Sequence, residues 1–245
     1  MPEGPSLILA RENLVAFVNK RVKEVAGNAR VDLHLLKGRT IKEFRTWGKQ
    51  LFIFFDKPPV VRVHFLMFGS YSIDEHFRPD KSVRLCLTVG KHKIYFYTCS
   101  VKFVDDPGPA YDWAADVMSD AFSVSAARKK LKKLPDLLVC DALLNQDIFA
   151  GVGNIIKNEV LFRIKLHPES LTGKVPRAIL TKLIKEARNY CFDFLEWKRN
   201  FELKKHWLAH TKKECPRCHI PLLKKYCGKT KRRTFYCENC QVKYE

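Results

Sequence analysis

The stretch DALLNQDIFAGVGNIIKNEVLF, residues 141–162, contains two apolar helical segments separated by the glycine-rich turn 151–153. Asn154 follows the turn and belongs to the residue types that cap the start of a helix. Backbone N–H groups at a helix start bind anions such as phosphate, and glycine lets an anion approach the backbone closely. The stretch therefore predicts two helices joined by an anion-binding turn, although ordinary interhelical turns also contain glycines.

The segments on either side of this stretch also have helical periodicity. Apolar side chains recur at intervals of three and four in SVSAARKKLKKL (residues 123–134) and in PRAILTKLIKEARNYCFDFLEW (residues 176–197). The apolar stripe of the second segment is formed by Ile179, Leu183, Ala187, Tyr190 and Phe194. Prolines and acids interrupt the periodicity in DDPGPAYDWAAD, residues 105–116, as in a linker. We therefore predict a helical domain that begins after a boundary near residues 107–118.

Residues 22–104 have a shorter repeat. Their apolar side chains alternate with polar ones or form runs rich in Val, Ile, Phe and Tyr, with glycine-containing turns between the runs. Ahead of them, the apolar side chains of residues 7–18 recur with the period of a helix that buries one face. The pattern predicts an antiparallel β domain with one N-terminal helix, so the chain as a whole belongs to the α+β class.

Five of the nine cysteines lie within the last 31 positions. They include two CxxC pairs, CPRC at residues 215–218 and CENC at residues 237–240. Four thiolates with this spacing can surround one Zn²⁺ ion as a tetrahedron, which leaves no position open for catalysis. Two disulfides are the alternative, and the scattered cysteines elsewhere in the chain disfavour them. The predicted ligands of this structural zinc ion are Cys215, Cys218, Cys237 and Cys240.

The segment between the two pairs, LLKKYCGKTKRRTFY (residues 222–236), predicts a basic hairpin. Its cations can face a phosphate backbone, although a charge run that is merely solvated is the alternative. The cations in question are Lys229, Lys231, Arg232 and Arg233. With this finger, the predicted domains are a β domain (1–110), a helical domain (111–210) and a zinc finger (211–245).

The composition favours a polyanionic partner. The chain has 45 Lys and Arg against 26 Asp and Glu, a formal net charge of +19, and its 46% hydrophobic content suffices for packed cores. A membrane span needs about 18 consecutive apolar residues, and the chain has no such run and no secretory signal pattern. We expect an intracellular monomer that binds nucleic acid and not a membrane.

The chain opens with MPEGPSLILA, in which Pro2 precedes Glu3. Removal of Met1 before a small residue would leave Pro2 as a secondary amine, and an α-amino group has a pKa of about 7.7 to 8.0. Such an amine is a far better nucleophile at pH 7 than an ordinary lysine, and it forms an iminium ion directly with a sugar aldehyde. Glu3 beside it can transfer protons. A rigid start before a helix is the alternative role of Pro2.

Together these features resemble the formamidopyrimidine-DNA glycosylase and endonuclease VIII family of base-excision repair enzymes. The resemblance covers nearly the whole chain and rests on the order of four motifs, namely PEGP, the GK pair in TWGKQ (residues 46–50), QDIFAGVGN and the four-cysteine finger with RRTFYCENCQ. It implies an N-terminal antiparallel β-sandwich with a helix, followed by a helix-two-turn-helix domain that ends in a zinc finger.

The resemblance also implies roles for individual residues. Pro2 is the implied Schiff-base nucleophile and Glu3 the implied acid and base. Lys49, by itself an ordinary exposed lysine, and Arg232 are implied to grip phosphates at the reaction site. Further implied DNA contacts come from Asn154, Gln146, Met67 and Phe103. Two positions depart from the family pattern, Ser6 in place of a glutamate and Val101 in place of an arginine, and both concern recognition of the lesion and the opposite base.

These observations predict a DNA glycosylase with abasic-site lyase activity on oxidised bases, acting by β,δ-elimination with Zn²⁺ as the sole cofactor. Two alternatives remain open, a zinc-finger protein that binds damaged DNA without catalysis and a lyase with negligible glycosylase activity. In the purine-acting branch of the family that the chain resembles, a long loop between the last helix and the finger covers the flipped base, whereas here only residues 198–214 separate the two. Gln146 in NQDIFAG also resembles the endonuclease VIII branch, to which the chain is therefore expected to be closer. Oxidised pyrimidines and formamidopyrimidines are therefore the predicted lesions, unless the pocket is closed from elsewhere.

Overall fold

The computed structural model describes residues 2–108 and 110–245, and the chain divides into two compact units after Tyr111. A further division near residue 210 stays a prediction. Short 3₁₀ helices occur at Val15–Phe17, Leu33–Leu36, Asp80–Ser82, Trp113–Ala115 and Leu203–His206. None of the helices in the described ranges is long and apolar enough to cross a membrane.

The first unit contains helix α1 and two four-stranded antiparallel sheets. α1 spans Gly4–Leu14, and the strands are β1 (Val22–Ala26), β2 (Ile41–Trp47), β3 (Gln50–Phe55), β4 (Val60–His64), β5 (Ser70–Ile73), β6 (Val83–Val89), β7 (His92–Tyr97) and β8 (Ser100–Val104). The strand orders are β1-β6-β7-β5 and β2-β3-β4-β8. Leu87 and Phe96 of one sheet share a buried core with Leu51 and Val63 of the other. The predicted β-sandwich with a helix is confirmed.

Helix α1 packs against β2 and β3, the hairpin that carries Lys49. It begins at Gly4, ahead of the predicted apolar stripe, and Pro5 lies in its first turn, where a missing N–H costs nothing. Leu7 and Leu14 bury their side chains in the core of the sandwich. Helix α1 therefore packs on the same sheet that ends in the β2–β3 turn.

The second unit contains four α-helices and a β-hairpin, besides two of the short 3₁₀ helices. The elements are α2 (Val124–Lys132), α3 (Val139–Leu144), α4 (Asn154–Arg163), α5 (Arg177–Arg199), β9 (Leu223–Cys227) and β10 (Arg232–Tyr236). Leu183, Ala187, Tyr190 and Phe194 of α5 are buried as predicted, in a core that also includes Cys227 and Tyr236 of the hairpin. Ile179, the first residue of the predicted stripe, is only half-buried against this core. The hairpin therefore packs on the helices as part of one hydrophobic core.

One detail of the central turn differs from the prediction. Gly153 is the N-cap of α4, and Asn154 is the first helical residue instead of the cap. The side-chain Nδ2 of Asn154 donates to the carbonyl of Arg233 in β10 at 2.9 Å. A hydrogen bond to a distant strand thus takes the place of the local capping bond.

Candidate functional site

Pro2 and Glu3 lie at the start of α1. Glu3 is the N-cap of the helix in an extended conformation (φ −115°, ψ 171°), and its carbonyl accepts the N–H of Ser6 at 2.8 Å. The Glu3 side chain is only 1% exposed, whereas Pro2 is half-buried. Glutamate is rarely buried to this extent unless its carboxyl group has a partner or a function. The structure therefore places a buried carboxyl group directly after the residue predicted as nucleophile.

Lys49 lies in the tight turn between β2 and β3, next to Gly48 with a φ of +53°. The flanking residues hold the turn rigid. The ring of Trp47 packs at 4.7 Å from the ring of Tyr111, and the hydroxyl of Tyr111 donates to Oε1 of Gln50 at 2.8 Å. The half-buried Lys49 is thus presented by an ordered hairpin.

His64 lies beside Lys49 and was not predicted. It pairs with Gln50 in the antiparallel register of β3 and β4. Burial, followed by the positive charges of Lys49 and Arg62, lowers the pKa of His64, which favours the neutral ring at pH 7. Its Nδ1 accepts the N–H of Leu66 at 3.1 Å. A lone histidine at a strand end has no sequence signature, because only the strand register brings it to Lys49.

The β4–β5 loop presents an exposed apolar tip formed by Leu66, Met67 and Phe68. Their exposed fractions are 48%, 51% and 72%. Leu66 has a φ of +53°, and a Cβ on Gly69 would lie 2.2 Å from the carbonyl oxygen of Phe65, so the loop has a defined shape that requires glycine. The insertion of Met67 into DNA stays a prediction, and Phe68, which was not predicted, has the larger exposed fraction on the same loop.

Phe103 contrasts with this tip. It lies half-buried on β8, where it packs against the core of the sandwich, and it lines a recess of about 490 Å³ together with Val101 and Leu66. Its role as a wedge in DNA stays a prediction.

Gln146 holds the glycine turn together. Its Nε2 donates to the carbonyls of Leu144 at 2.8 Å and Val152 at 3.1 Å, and its Oε1 accepts the N–H of Gly151 at 3.1 Å. Both amide hydrogens are therefore used within the turn. The observed geometry gives Gln146 a structural position, and a DNA contact by this residue stays a prediction.

Asp141 of α3 anchors the β9–β10 turn, which precedes Arg232. Its buried carboxylate accepts the N–H groups of Lys229 at 2.8 Å and Thr230 at 3.1 Å, and the hydroxyl of Thr230 at 2.7 Å. Gly228 has a φ of +72°, and a Cβ there would lie 2.3 Å from an oxygen of Asp141. The carboxylate and the glycine together fix the turn.

Lys157 of α4 forms a second anchor. The lysine is 1% exposed, and its Nζ donates to Oγ1 of Thr234 in β10 at 2.7 Å. Burial lowers the pKa of Lys157 to about 8. Together with the bond from Asn154 to Arg233, this contact joins α4 to the strand that carries Arg232. Asp141 and Lys157 are positioning residues that the sequence analysis missed.

We expect Asp141→Asn to lower the free energy of unfolding by about 1 to 3 kcal/mol, because an amide cannot satisfy the buried N–H donors of the turn as a carboxylate does. Asp136→Asn, at an exposed position of the same unit, removes the same charge and should leave stability nearly unchanged. Chemical denaturation of both variants measures the difference. Equal stabilities would show that Asp141 does not hold the hairpin.

The four predicted zinc ligands meet at one point. The sulfur atoms of Cys215, Cys218, Cys237 and Cys240 all lie within 4.8 Å of one another. Cys215 Sγ and Cys240 Sγ are 3.8 Å apart, which matches the edge of a tetrahedron with metal–sulfur bonds of about 2.3 Å. The donor set therefore fits a metal ion. His219, paired with Glu214, and Cys227, in the helical core, lie outside the cluster.

Hydrogen bonds lower the pKa of one of these thiols. Burial raises the pKa of Cys215, but the backbone N–H groups of Arg217 and Cys218, together with the thiols of Cys237 and Cys240, lower it to about 7. Thiolate is the form that binds metal ions.

Two family models match the chain. The formamidopyrimidine-DNA glycosylase N-terminal domain matches residues 1–104, and the H2TH domain of the same enzyme matches residues 113–194. Endonuclease 8-like 3 of Mus musculus is 32% identical over 217 residues, which cover 85% of this chain and 36% of that protein. Endonuclease 8-like 2 of Mus musculus is 30% identical over 196 residues, covering 74% of this chain and 57% of that protein. The chain thus spans about a third of the length of the endonuclease 8-like 3 relatives.

Solved structures share the fold. A Lactococcus lactis formamidopyrimidine-DNA glycosylase, bound non-covalently to DNA with an abasic site, superposes with a TM-score of 0.86 at 20% identity over 98% of this chain and 100% of that one. A viral DNA glycosylase superposes with a TM-score of 0.83, also at 20% identity and with the same coverage. The matches of both domains and the order of the motifs show that the chain belongs to the formamidopyrimidine-DNA glycosylase family, in its endonuclease VIII-like branch.

Proposed function

We propose that this protein is a DNA glycosylase with abasic-site lyase activity. The observation that carries the proposal is the buried Glu3 carboxyl group directly after Pro2, in a chain of this family. After removal of Met1, the nitrogen of Pro2 attacks C1′ of the damaged nucleotide. The glycosidic bond breaks, and its electron pair leaves with the base, which gains a proton. The nitrogen of Pro2 loses its own proton, the C1′–O4′ bond then breaks as O4′ gains a proton, and the opened sugar is held to Pro2 as an iminium ion.

The proposed lyase steps follow from the iminium ion. Its positive nitrogen withdraws electrons, so a proton is lost from C2′ and the 3′ phosphate leaves by β-elimination. A second elimination, with loss of a proton from C4′, then releases the 5′ phosphate, and hydrolysis of the C=N⁺ bond by water frees Pro2. The proposed role of Glu3 precedes these eliminations, because it supplies the proton that the departing base gains. Borohydride reduction of the iminium to a stable amine, with trapped complex resolved by electrophoresis, is the experiment that tests this function.

Lys49, Asn154 and Arg232 are the proposed phosphate contacts. Lys49 supplies a cation from a rigid turn, and the anchors on α3 and α4 hold the strand of Arg232 in place. One amide hydrogen of Asn154 serves the hairpin, so the other can donate to a phosphate oxygen. These contacts fix the register of the DNA and are independent of base sequence.

We propose Zn²⁺ as the ion of the four-cysteine cluster. Four thiolates saturate a tetrahedral zinc ion, which would stabilise the finger and take no part in bond cleavage. Cys237→Ser should therefore lose stoichiometric zinc and bind damaged duplex about tenfold or more weakly, while the first unit stays folded. His219→Gln, a change beside the cluster but outside it, should retain the metal. Elemental analysis and fluorescence anisotropy measure both effects, and full zinc content in Cys237→Ser would exclude this ligand set.

Oxidised pyrimidines and formamidopyrimidines are the proposed substrates. The segment after α5 leaves little chain for a lid, because Glu159 anchors it by accepting the backbone N–H groups of Leu208, Ala209 and His210. The ring of His206 also stacks on that of Trp197 at 4.2 Å. Only a short piece of chain between α5 and the anchor remains to move.

We accordingly expect thymine glycol to be excised about tenfold or more faster than 8-oxoguanine opposite cytosine, a difference of roughly 1.4 kcal/mol in transition-state binding. Single-turnover rates on duplexes of matched sequence measure it, with a preformed abasic site as the control for the lyase step. Faster excision of 8-oxoguanine would contradict the assignment to pyrimidines without touching the lyase mechanism.

A further inference from the structure

A basic double recess lies on the first unit, outside the proposed catalytic residues. It consists of two adjoining recesses of about 780 and about 490 Å³ that share Arg21, Lys37 and Gly38. Asp56 is the one acidic residue in their described lining. The lining cations are Lys20, Arg21, Lys23, Lys37, Arg39 and Lys57.

The charges of these cations are not neutralised by acids. Nε of Arg21 donates to the carbonyl of Gly38 at 2.8 Å, and Nε of Arg39 donates to the carbonyl of Leu35 at 3.1 Å. Both guanidinium groups are therefore oriented by neutral acceptors. Within residues 2–108 and 110–245, no ion pair involves any of the six cations. Asp56 accepts the N–H of Thr40 at 3.1 Å, so part of its acceptor capacity is already used.

Such a surface attracts a polyanion. Cations crowded into a recess repel one another, and an extended anion that binds there reduces this repulsion. The walls of the recess also strengthen the positive electrostatic potential that attracts the anion. Leu35 is the single exposed large apolar side chain in the described lining. A membrane-binding surface needs a broad apolar face in addition to cations. The composition of the lining therefore favours a phosphodiester backbone over a lipid surface.

The double recess is remote from the catalytic residues. Thr40 and Asp56 lie at the open end of the β2–β3 hairpin, and Lys49 lies in the turn at its other end. The strands between the two ends have seven and six residues, so Lys49 is roughly 20 Å from the recess. Lys20 follows α1 whereas Pro2 precedes it, and the 11 residues of the helix span about 16 Å. A phosphate bound beside Pro2 and Lys49 cannot also lie in the double recess.

We propose that the double recess is a second nucleic-acid site, which binds the phosphodiester backbone of a DNA segment other than the one that carries the lesion. The site requires no base contacts, because its six cations can pair with backbone phosphates alone. Binding there is independent of sequence and falls steeply with salt concentration. The protein can thereby hold two duplexes at once.

The test compares the wild-type protein with Lys20→Glu/Lys37→Glu. The probe is a hairpin duplex of about 8 base pairs with an uncleavable abasic analogue at its centre, which extends roughly 14 Å to each side and is too short to span both sites. Analytical ultracentrifugation at low salt should show two duplexes bound per wild-type protein. The double variant should bind the first duplex within about twofold of wild type and the second about tenfold or more weakly.

Lys174→Glu/Lys185→Glu, two exposed lysines of the second unit, is the matched control for net charge and should retain both duplexes. Cleavage of a preformed abasic site should be unchanged in Lys20→Glu/Lys37→Glu. A single duplex per wild-type protein would overturn the proposal, as would equal loss from the recess and control variants. Slower abasic-site cleavage by Lys20→Glu/Lys37→Glu would likewise overturn it. So would wild-type binding to phosphatidylserine vesicles that is lost in this variant and kept in the control variant.

Discussion

A variant that carries one extra leucine between Met1 and Pro2 should lose at least about 100-fold in borohydride-trapped complex with abasic DNA, because its Pro2 nitrogen is part of an amide bond. Methionine is retained before a large residue, so no secondary amine forms at the chain start. At pH 7 about a tenth or more of an exposed α-amino group is in the neutral, nucleophilic form. An amide nitrogen, by contrast, has no available electron pair with which to attack C1′. Pro2→Gly should also trap less complex, since its imine must gain a proton before it becomes an electron sink.

Intact-mass analysis of the wild-type protein should show loss of Met1 and establish that Pro2 carries the free amine. Binding to a duplex with an uncleavable abasic analogue is the control, and we expect it to change by less than about threefold in both variants. Undiminished trapping in both would assign the nucleophile to a lysine. Absence of trapping in the wild-type protein, with DNA binding intact, would favour the non-catalytic alternative.

Glu3→Gln should lower base excision by about 100-fold or more, within the usual range for loss of a general acid or base, and should lower cleavage of a preformed abasic site by much less. The difference arises because the departing base must be protonated, whereas an abasic site has no base to release. Burial of the side chain, with 1% of its surface exposed, leaves no bulk water to replace the carboxyl group.

Single-turnover rates on two duplexes of the same sequence, one with thymine glycol and one with a preformed abasic site, separate the two steps. Glu24→Gln, on the exposed face of β1, removes the same charge from the same unit and should leave both rates unchanged. If Glu3→Gln lowers the rates on both duplexes equally, Glu3 has no specific role in base protonation. The substitution would then have a general effect on the start of α1.

Several features of this protein were determined by sequence alone because they depend on neighbours in the chain. Period-two alternation predicts strands, and the spacing of the CxxC pairs predicts a four-sulfur cluster, since each pair folds its own short turn around the metal position. The glycine turn 151–153 is equally local. The confirmed fold class and the meeting of Cys215, Cys218, Cys237 and Cys240 follow from these patterns.

The contacts that join the finger to the helices were decided only by the tertiary structure. Lys157 has the sequence appearance of a surface lysine, yet it is buried against Thr234, 77 positions away. Asp141 accepts hydrogen bonds from turn residues that lie 88 and 89 positions later in the sequence. Asn154, which was predicted to cap α4, donates instead to the carbonyl of Arg233, 79 positions later. Sequence periodicity shows which face of a helix is apolar, but a buried polar group finds its partner only when packing removes water and brings distant donors and acceptors together.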